Sequence, residues 1–406
     1  MFPNDWQRSM LGECVELLTG YAFSSQEYAI KNSSAVRLLR GDNVMQGALR
    51  WDDAKYWTNP YDKLLERYEM QVGDIVIAMD RPITNAGLKC SSVQSHDLPC
   101  LLVQRVARMR AKPNFDQDYL AQILQTHSFI QHLKGQKTET AVPHISPNDL
   151  RNFAIAFPTK VEQCRIAKIL VTWDQAIFTA EQVLLNSRKQ KQALTHSLLG
   201  DRLRRSVGKK ALHREHASVI FKPRSTRNND GLELLSVMQD VGVVPRSSLG
   251  RKVVMPEGST SGYKLVEPGD FVISLRSFEG GLEYSKFKGL VSPAYTVLAS
   301  KKPIVDDFYR HYFKSTEFIG RLAVAVIGIR DGKQISYEDF AFLRLPYPSI
   351  PEQKEIAQLL NSAEEIIQKK KIELLLLRQE KAALMALLLT GKRRVRSLES
   401  AVEVVA

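Results

Sequence analysis

The chain has 406 residues, of which 44% are hydrophobic and 25% charged, a length and composition that indicate two globular domains and exclude a disordered chain. No apolar run reaches the roughly 18 residues needed to span a bilayer. The 57 Lys and Arg exceed the 44 Asp and Glu, and the net charge of +13 favours nucleic acid, because neutralising phosphates releases counterions.

The N-terminus and the cysteines bear on the cellular compartment. Residues 1–6 have no basic segment leading into an apolar one, so we expect no secretory signal. The four cysteines are scattered without a Cys-x-x-Cys pair, which fits a reduced, cytoplasmic setting.

Segments of the first half of the chain recur in the same order in the second half. The block at 144–150 recurs at 334–340, and the pair Glu-Gln at 162–163 recurs at 352–353, both with an offset of 190 residues. Gly-Asp and the apolar residues after it, at 73–77, recur at 269–273 with an offset of 196. Loop insertions explain the changed offset. We therefore expect a tandem duplication, each copy holding a mixed domain followed by a long helix.

Within each copy the pattern predicts the main elements. The Gly-Asp pairs predict a turn entering a buried strand, and the Ile-Ser segments and the apolar stretches that end at proline predict further strands. Strands are thus predicted at 73–77, 145–146, 153–158, 269–273, 335–336 and 343–348, and helices at 119–133 and 309–324.

An apolar stripe at steps of three and four residues predicts a helix of roughly 50 Å at the end of each copy. The first is expected to stop at Gly200, and the second to start at Pro351 and stop at Gly391. The economical arrangement pairs them as an antiparallel coiled coil, with a pseudo-twofold axis between the domains; the alternative packs each helix only on its own domain. The pairing residues would be Ile166, Leu170, Trp173, Ile177, Leu184, Ile356, Leu360, Ile367, Leu374 and Leu377.

The catalytic and metal motifs that the sequence offers are incomplete. Asn-Pro-Tyr at 59–61 lacks the second proline of an amino-methyltransferase loop, and Gly-Lys at 332–333 lacks the first glycine of a phosphate-binding loop. The cysteines and histidines at 90–100, and the histidines at 213 and 216, lack the paired short spacings of zinc sites. We therefore expect a chain without a catalytic or metal site.

The segment 351–357, Pro-Glu-Gln-Lys-Glu-Ile-Ala, continues into a Leu-rich helix that ends Leu-Thr-Gly-Lys at 389–392. It strongly resembles the conserved helix of type I restriction–modification specificity subunits. Residues 158–205 look like the same element, although Thr-Lys-Val stands where the family usually has prolines and leucines. Residues 11–28 resemble the start of the family's first target-recognition domain, whereas 213–229 match the second start poorly.

The resemblance implies an α+β chain of two tandem α/β target-recognition domains separated by the two helices. The implied segments are domain 1 at 1–157, a central helix at 158–206, domain 2 at 207–345, a C-terminal helix at 346–396 and a tail at 397–406. Each domain would read one half of a bipartite site on double-stranded DNA, and the helices would set the gap between the halves.

The resemblance also implies partners. The helices would dock two copies of an adenine-N6 DNA methyltransferase subunit, and a restriction and translocase subunit can join. S-adenosylmethionine, ATP and magnesium would belong to those partners, which leaves this chain non-catalytic and without a cofactor. One alternative is a double-headed DNA-binding scaffold or regulator without a methyltransferase partner. A self-sufficient enzyme is another, and it would require a motif that the sequence does not show.

Base readers are chiefly Arg, Lys, Asn and Gln, supported by phosphate contacts. Three loops in each copy are candidates, at 21–25, 81–89 and 134–138 and at 222–229, 276–279 and 330–334. The candidate DNA-binding residues are Tyr21, Ser24, Arg81, Asn85, Lys89, Lys134, Lys137, Thr138, Arg227, Arg276, Arg330, Lys333 and Gln334.

Overall fold

The computed structural model describes residues 2–29, 31, 35–58, 63–84, 87–135, 144–200, 211–227, 231–239, 241–249, 260–325 and 335–395. Its contacts divide the chain into unit 1, Met1–Thr179 with Leu374–Ala406, and unit 2, Ala180–Glu373. Each unit therefore holds one mixed domain together with part of each long helix. Among the described residues, no helix is long and apolar enough to cross a membrane.

Unit 1 combines short helices with several small sheets. Its strands are β1 Gln7–Met10, β2 Val15–Thr19, β3 Val36–Leu39, β4 Lys55–Trp57, β5 Ile75–Ala78, β6 Ile83–Thr84, β7 Gly87–Leu88, β8 Cys90–Ser92, β9 Cys100–Leu102, β10 Val106–Ala111 and β11 Ala154–Phe157. Its helices are α1 Leu11–Cys14, α2 Lys63–Glu66, α3 Gln117–Ile123, α4 His127–Gly135, α5 Pro147–Arg151 and the first part of α6, Lys160–Leu199.

A four-stranded antiparallel sheet in the order β2-β10-β5-β8 forms the centre of unit 1. Strand β5 follows Gly73-Asp74 as predicted and is buried at every position, because both faces of the sheet are covered. One face packs against α3 and α4 through the fully buried Tyr119 and Phe129. The other face packs against a smaller sheet in the order β4-β3-β9.

Unit 2 repeats this plan. Its strands are β12 Arg214–His216, β13 Phe221–Arg224, β14 Leu235–Met238, β15 Gly242–Pro245, β16 Lys264–Val266, β17 Phe271–Ile273, β18 Glu283–Tyr284, β19 Gly289–Val291, β20 Thr296–Ser300 and β21 Arg344–Pro346. Its helices are α7 Ala217–Ile220, α8 Ser277–Gly280, α9 Asp306–Tyr312, α10 Thr316–Ala325, α11 Tyr337–Ala341, the last part of α6, and α12 Ile350–Leu388 up to residue 373.

The main sheet of unit 2 has the order β13-β20-β17-β18, which matches the order in unit 1 strand for strand. Its core is more aromatic, with Phe221, Phe271, Tyr309 and Phe313 in mutual contact. In both units a short strand pair, β1 with β11 and β12 with β21, joins the start of the domain to the apolar stretch that ends at proline. The predicted duplication and the predicted strands at those stretches are confirmed.

The single helices predicted at 119–133 and 309–324 are wrong, because each is broken into two. In unit 1 the Thr126 hydroxyl donates to the Ile123 carbonyl and accepts from the Phe129 N–H at 3.3 Å. In unit 2 Ser315 makes the equivalent bonds to Tyr312 and Phe318. A hydroxyl in this position ends one helix and caps the next.

The prediction that the Ile-Ser segments form strands is wrong. Ser146 accepts a hydrogen bond from the Asp149 N–H, and the Asp149 carboxylate accepts from the Ser146 N–H. Ser336 and Asp339 form the same reciprocal pair. These are capping boxes, so each Ile-Ser segment starts a short helix, α5 or α11.

The two long helices pair antiparallel in each unit. In unit 1 the start of α6 shares a core with the end of α12, through Ile166, Leu170 and Leu388. In unit 2 the end of α6 shares a core with the start of α12, through Leu199 and Leu360. The predicted pairing is therefore confirmed, and the alternative in which each helix packs only on its own domain is wrong. The predicted pseudo-twofold axis stays a prediction.

The helices have 40 and 39 residues, or about 60 Å each, slightly longer than predicted. Helix α6 ends just before Gly200 as expected, and α12 is followed by Gly391 in the left-handed conformation, at φ 71°. Of the predicted pairing residues, Ile166, Leu170, Leu184, Ile356, Leu360, Ile367 and Leu374 are buried, and Trp173, Ile177 and Leu377 are partly buried.

A fully buried glutamine joins the start of each long helix to the domain before it. Gln163 accepts a hydrogen bond from the Asp116 N–H and donates to the Pro158 carbonyl, both at 2.9 Å. Gln353 accepts from the Val305 N–H and donates to the Pro348 carbonyl at the same distances. The repeated Glu-Gln pair of the sequence is therefore a docking contact between helix and domain.

Candidate DNA interface

The loops that the sequence singled out in the first copy meet at one edge of the main sheet. Strands β2 and β5 both pair antiparallel with β10, so they run parallel to each other and end at the same edge. The Gln104 N–H donates to the Tyr21 carbonyl, and the Met79 N–H donates to the Arg105 carbonyl. We define the loop edge of unit 1 as residues 20–24, 79–82, 103–105 and His144.

Asp80 lies at the centre of this loop edge. Its carboxylate accepts from Arg105 at 2.7 Å and contacts Nδ1 of His144 at 2.6 Å. Partial burial raises the pKa of Asp80, but the hydrogen bonds from His144 and Arg105 outweigh it and hold that pKa below its usual value. The carboxylate therefore stays charged and holds the Arg105 guanidinium and the His144 ring in place.

Arg81 and Arg105 have backbones in the left-handed region, at φ 45° and 65°. Non-glycine residues adopt this conformation at a cost of about 1–3 kcal/mol, and such residues cluster at ligand sites. Both side chains are exposed. The left-handed backbone thus places two exposed arginines at this edge, Arg105 bonded to Asp80 and Arg81 next to Asp80 in the chain.

The other predicted residues of unit 1 differ in exposure. Tyr21 is partly buried, since its ring packs on Phe23 and Tyr68, and Ser24 is exposed. Lys89 is partly buried and lies beside the end of β5, where its carbonyl accepts from the Ala78 N–H. Lys134 is exposed in the last turn of α4. Sequence reasoning did not select Arg105 or His144, although His144 opens a repeated block.

Unit 2 presents an equivalent edge. Strands β13 and β17 both pair antiparallel with β20 and therefore end at the same edge, followed by Arg227 and Arg276. Both side chains are exposed, and Arg276 precedes the first turn of α8. We define the loop edge of unit 2 as residues 225–227, 274–276 and Lys264. The Leu265 N–H joins these segments by donating to the Thr226 carbonyl at 2.9 Å.

Lys264 is a cation at this edge that sequence reasoning missed. Its ammonium donates to the Tyr295 carbonyl at 2.6 Å. Burial lowers the pKa of Lys264, and the nearby charge of Arg227 lowers it further. An anion bound between two like charges relieves their repulsion, so this pair favours a phosphate.

Six predicted DNA-binding residues lie outside the described residues: Asn85, Lys137, Thr138, Arg330, Lys333 and Gln334. Within the described ranges, no three His, Cys, Asp or Glu side chains are grouped as a metal site.

The long helices expose large apolar side chains away from their pairing stripe. In unit 1, Val171 and Phe178 on α6 are 40% and 55% exposed, and Leu375 and Leu376 on α12 are exposed as well. In unit 2, Leu185 on α6 and Leu359, Ile366 and Ile372 on α12 are exposed. Several are seven residues apart, which keeps them on one helical face. Exposed apolar faces of this kind indicate contact with another protein.

Comparison with known sequences gives a consistent set of relatives. Residues 3–187 match the family model described as type I restriction modification DNA specificity domain. The chain is 34% identical over 195 residues to the type I restriction enzyme EcoAI specificity subunit of Escherichia coli, an alignment that covers 48% of this chain and 32% of that relative. It is 28% identical over 203 residues to the MjaVIII specificity subunit of Methanocaldococcus jannaschii, covering 50% of this chain and 47% of the relative.

These two alignments thus span between a third and half of the relatives' own length. An alignment with the putative MjaX specificity subunit of the same archaeon covers 97% of this chain and 95% of the relative, at 23% identity.

Two solved structures share the fold over nearly the whole chain. The S subunit of a type I restriction–modification system from M. genitalium has a TM-score of 0.56 and covers 96% of this chain and 97% of its own. A chain from a study of complex assembly and conformational transition of the type I R-M system has a TM-score of 0.59 and covers 97% and 100%. Both are 14% identical to this chain, so the likeness shows the fold.

Proposed function

We propose that this chain is a type I restriction–modification specificity subunit, on the match of residues 3–187 to that family's domain and on its similarity to such subunits. Its two domains, at 1–157 and 207–345, would each read one half of a bipartite site on double-stranded DNA. The observation that carries this proposal is the loop edge, which recurs in both units. In each, loops at the shared end of two parallel strands bring exposed arginines to one edge of the sheet, and in unit 1 one of them, Arg105, comes from the loop that enters the strand between these two.

The chemistry of these edges suits a duplex. Arginine can bind guanine with two hydrogen bonds in the major groove, and lysine and histidine can contact phosphates. In unit 1 the bond to Asp80 fixes Arg105 and His144, while Arg81 lies exposed next to it. We assign Arg81 and Arg276 to base reading, and Arg105, Lys264 and Arg227 to phosphate contacts.

We propose that the exposed apolar faces of α6 and α12 dock two copies of an adenine-N6 DNA methyltransferase subunit, to which a restriction and translocase subunit can add. S-adenosylmethionine, ATP and magnesium act on those partners, and this chain contributes recognition without catalysis, in the cytoplasm. The support is physical: side chains such as Phe178 and Ile366 are half exposed on otherwise polar helices.

A second candidate function is a double-headed DNA-binding scaffold or regulator. The charge of the chain and its two loop edges suit that role equally well, whereas the apolar helix faces favour a tightly bound protein partner.

The experiment that separates the two is affinity capture of the tagged chain from its native cells, followed by mass spectrometry and mapping of methylated adenines. Two methyltransferase subunits per chain, and methylation at a bipartite sequence, are expected. Capture of the chain without a methyltransferase, with no adenine methylation lost on deletion of its gene, would contradict the proposal and favour the scaffold.

The helices are also proposed to set the gap between the two half-sites. Inserting about four residues, just over one turn, near Lys189 should change the spacer and preserve both half-sites. Methylated sites with an unchanged spacer would contradict this role.

A further inference from the structure

Each long helix carries a carboxylate and, seventeen residues later, a lysine. On α6 these are Asp174 and Lys191, and on α12 they are Glu364 and Lys381. Because the helices pair antiparallel, the carboxylate of each helix lies beside the lysine of the other. In unit 1 the Lys381 ammonium lies 2.5 Å from Asp174, and in unit 2 the Lys191 ammonium lies 3.4 Å from Glu364. We call these two contacts the register pairs.

The register pair of unit 1 is held by the recognition domain. Lys381 is only 6% exposed, and its ammonium also donates to the side-chain oxygen of Gln125 at 2.9 Å. Gln122, on α3, donates to the other oxygen of Asp174 at 2.8 Å. The domain therefore supplies one polar side chain to each member of the pair.

The register pair of unit 2 is held from the equivalent domain helix, α9. Arg310 donates to Glu364 at 2.7 Å and to the side-chain oxygen of Asn361 at 2.8 Å. The buried His311 contacts the same Asn361 oxygen at 2.7 Å. Both register pairs therefore join the two long helices and a domain helix at one point.

A charged pair in a helix interface resists sliding. A shift of seven residues, which keeps the apolar stripe in contact, would place Leu374 or Leu388 opposite Asp174 and leave Lys381 without its partner. An isolated charge in a largely buried position is strongly unfavourable, and single polar residues are known to fix the register of coiled coils. Such a shift moves one helix by about 10 Å, or about three base pairs of B-DNA.

We propose that the two register pairs fix the axial register of α6 against α12 and thereby determine which spacer length the complex accepts. This inference rests on the proposed function, since a spacer exists only if the chain reads a bipartite site. It assigns spacer specificity to four residues of the long helices that lie outside both loop edges.

The test uses the full chain with its methyltransferase subunits, expressed in cells without adenine methylation. Methylated adenines are mapped by sequencing. The readout is the spacer ratio, which is the methylation at sites whose spacer is altered by one to three base pairs divided by the methylation at sites with the native spacer. Lys381→Met should raise this ratio at least about tenfold. The charge-swapped double variant Asp174→Lys with Lys381→Asp should return this ratio towards the wild-type value. The side-chain amides of Gln122 and Gln125 can each donate or accept a hydrogen bond, so they can hold the reversed pair as well.

Lys370→Met is the matched control, since Lys370 on the same helix forms an exposed pair with Glu373; its spacer ratio should stay at the wild-type value. If Lys381→Met does not assemble, Asp174→Asn replaces it and should raise the ratio several-fold, because Asp174 is partly exposed.

The inference would be overturned if Lys381→Met or Asp174→Asn assembles and discriminates between spacers as well as the wild type does. It would also be overturned if the charge-swapped variant accepts altered spacers as readily as Lys381→Met. A wild-type complex that methylates no bipartite site would instead overturn the proposed function, so the two failures are distinguishable.

Discussion

Gln353 offers a test of how the long helices are attached to their domains. Replacing it by Met keeps the length and volume of the side chain but removes both hydrogen bonds. The Val305 N–H and the Pro348 carbonyl then lose their partner in a position where the glutamine itself is 0% exposed. Each buried polar group left without a partner costs about 1–3 kcal/mol. Easier burial of Met offsets part of this, so we expect a net loss of about 3 kcal/mol in the free energy of unfolding of unit 2.

The assay is urea unfolding followed by circular dichroism, with hydrogen exchange measured by mass spectrometry to locate the change. With an m-value of about 3 kcal/mol/M, the midpoint should fall by about 1 M. Because the chain has two units, their transitions can separate, and exchange should then increase first around α9 and the start of α12. Gln163→Met should destabilise unit 1 by a similar amount, since its two hydrogen bonds have the same geometry.

Gln358→Met is the control, because Gln358 is exposed on the same helix and its replacement should change stability by less than about 0.5 kcal/mol. A Gln353→Met variant as stable as this control would refute the reasoning, since the two backbone groups would then have to be satisfied without the glutamine.

Three further predictions concern the loop edge, the helix faces and pH. Arg81→Ala should weaken DNA binding of the assembled complex by about 1–3 kcal/mol, measured by fluorescence anisotropy; a loss confined to one half-site sequence indicates base reading, and unchanged affinity would remove Arg81 from the interface. Phe178→Asp should reduce copurification of the methyltransferase while leaving the thermal midpoint of the free chain unchanged, because this side chain is 55% exposed; full retention of the partner would argue against docking there. Burial lowers the pKa of His311 to about 4, helped by the charges of Arg310 and Lys191 and opposed by the hydrogen bond with Asn361 and the charge of Glu364. The contribution of His311 to stability is therefore complete above the unfolded value near 6.5 and is lost as pH falls towards 4. Between pH 7 and pH 4 this effect should lower the free energy of unfolding by at most about 3 kcal/mol, and the effect should be absent in His311→Gln. Identical pH profiles of the wild type and this variant would contradict the assignment.

The repeated sequence blocks predicted much of the fold, because each marks a local feature that recurs. The Gly-Asp pairs precede buried strands, and the Glu-Gln pairs place a buried glutamine at the start of each long helix. The break inside the helix predicted at 119–133 was missed because the apolar periodicity continues through it. Only the hydroxyl of Thr126, which bonds to backbone on both sides, ends α3 and starts α4.

The loop edges were only partly predictable from the sequence. Arg81 was selected because it follows a predicted strand, and its position at the edge depends on that local feature alone. Arg105 was missed because it joins the edge through the pairing of β10 with both β2 and β5, which are far apart in sequence. Non-local pairing of this kind leaves no periodic signal near the residue it positions.

In each unit the domain contacts the long helices at two places, the buried glutamine at the start of a helix and the side chains around the register pair. The glutamine contact is the same in both units, whereas the side chains around the register pair have diverged. Gln163 and Gln353 keep the same two backbone bonds, whereas Gln122 of unit 1 stands where unit 2 has His311, as the matching ends of α3 and α9 show. The carboxylate and lysine on each helix are equally spaced, so duplicating one helix was sufficient to create both register pairs. Since either helix carries both charges, the pairs specify the register but not which helix is the partner. The domain side chains Gln122 and Arg310, which differ between the two units, each bind the carboxylate of the helix that follows their own domain, so each domain positions one member of its register pair.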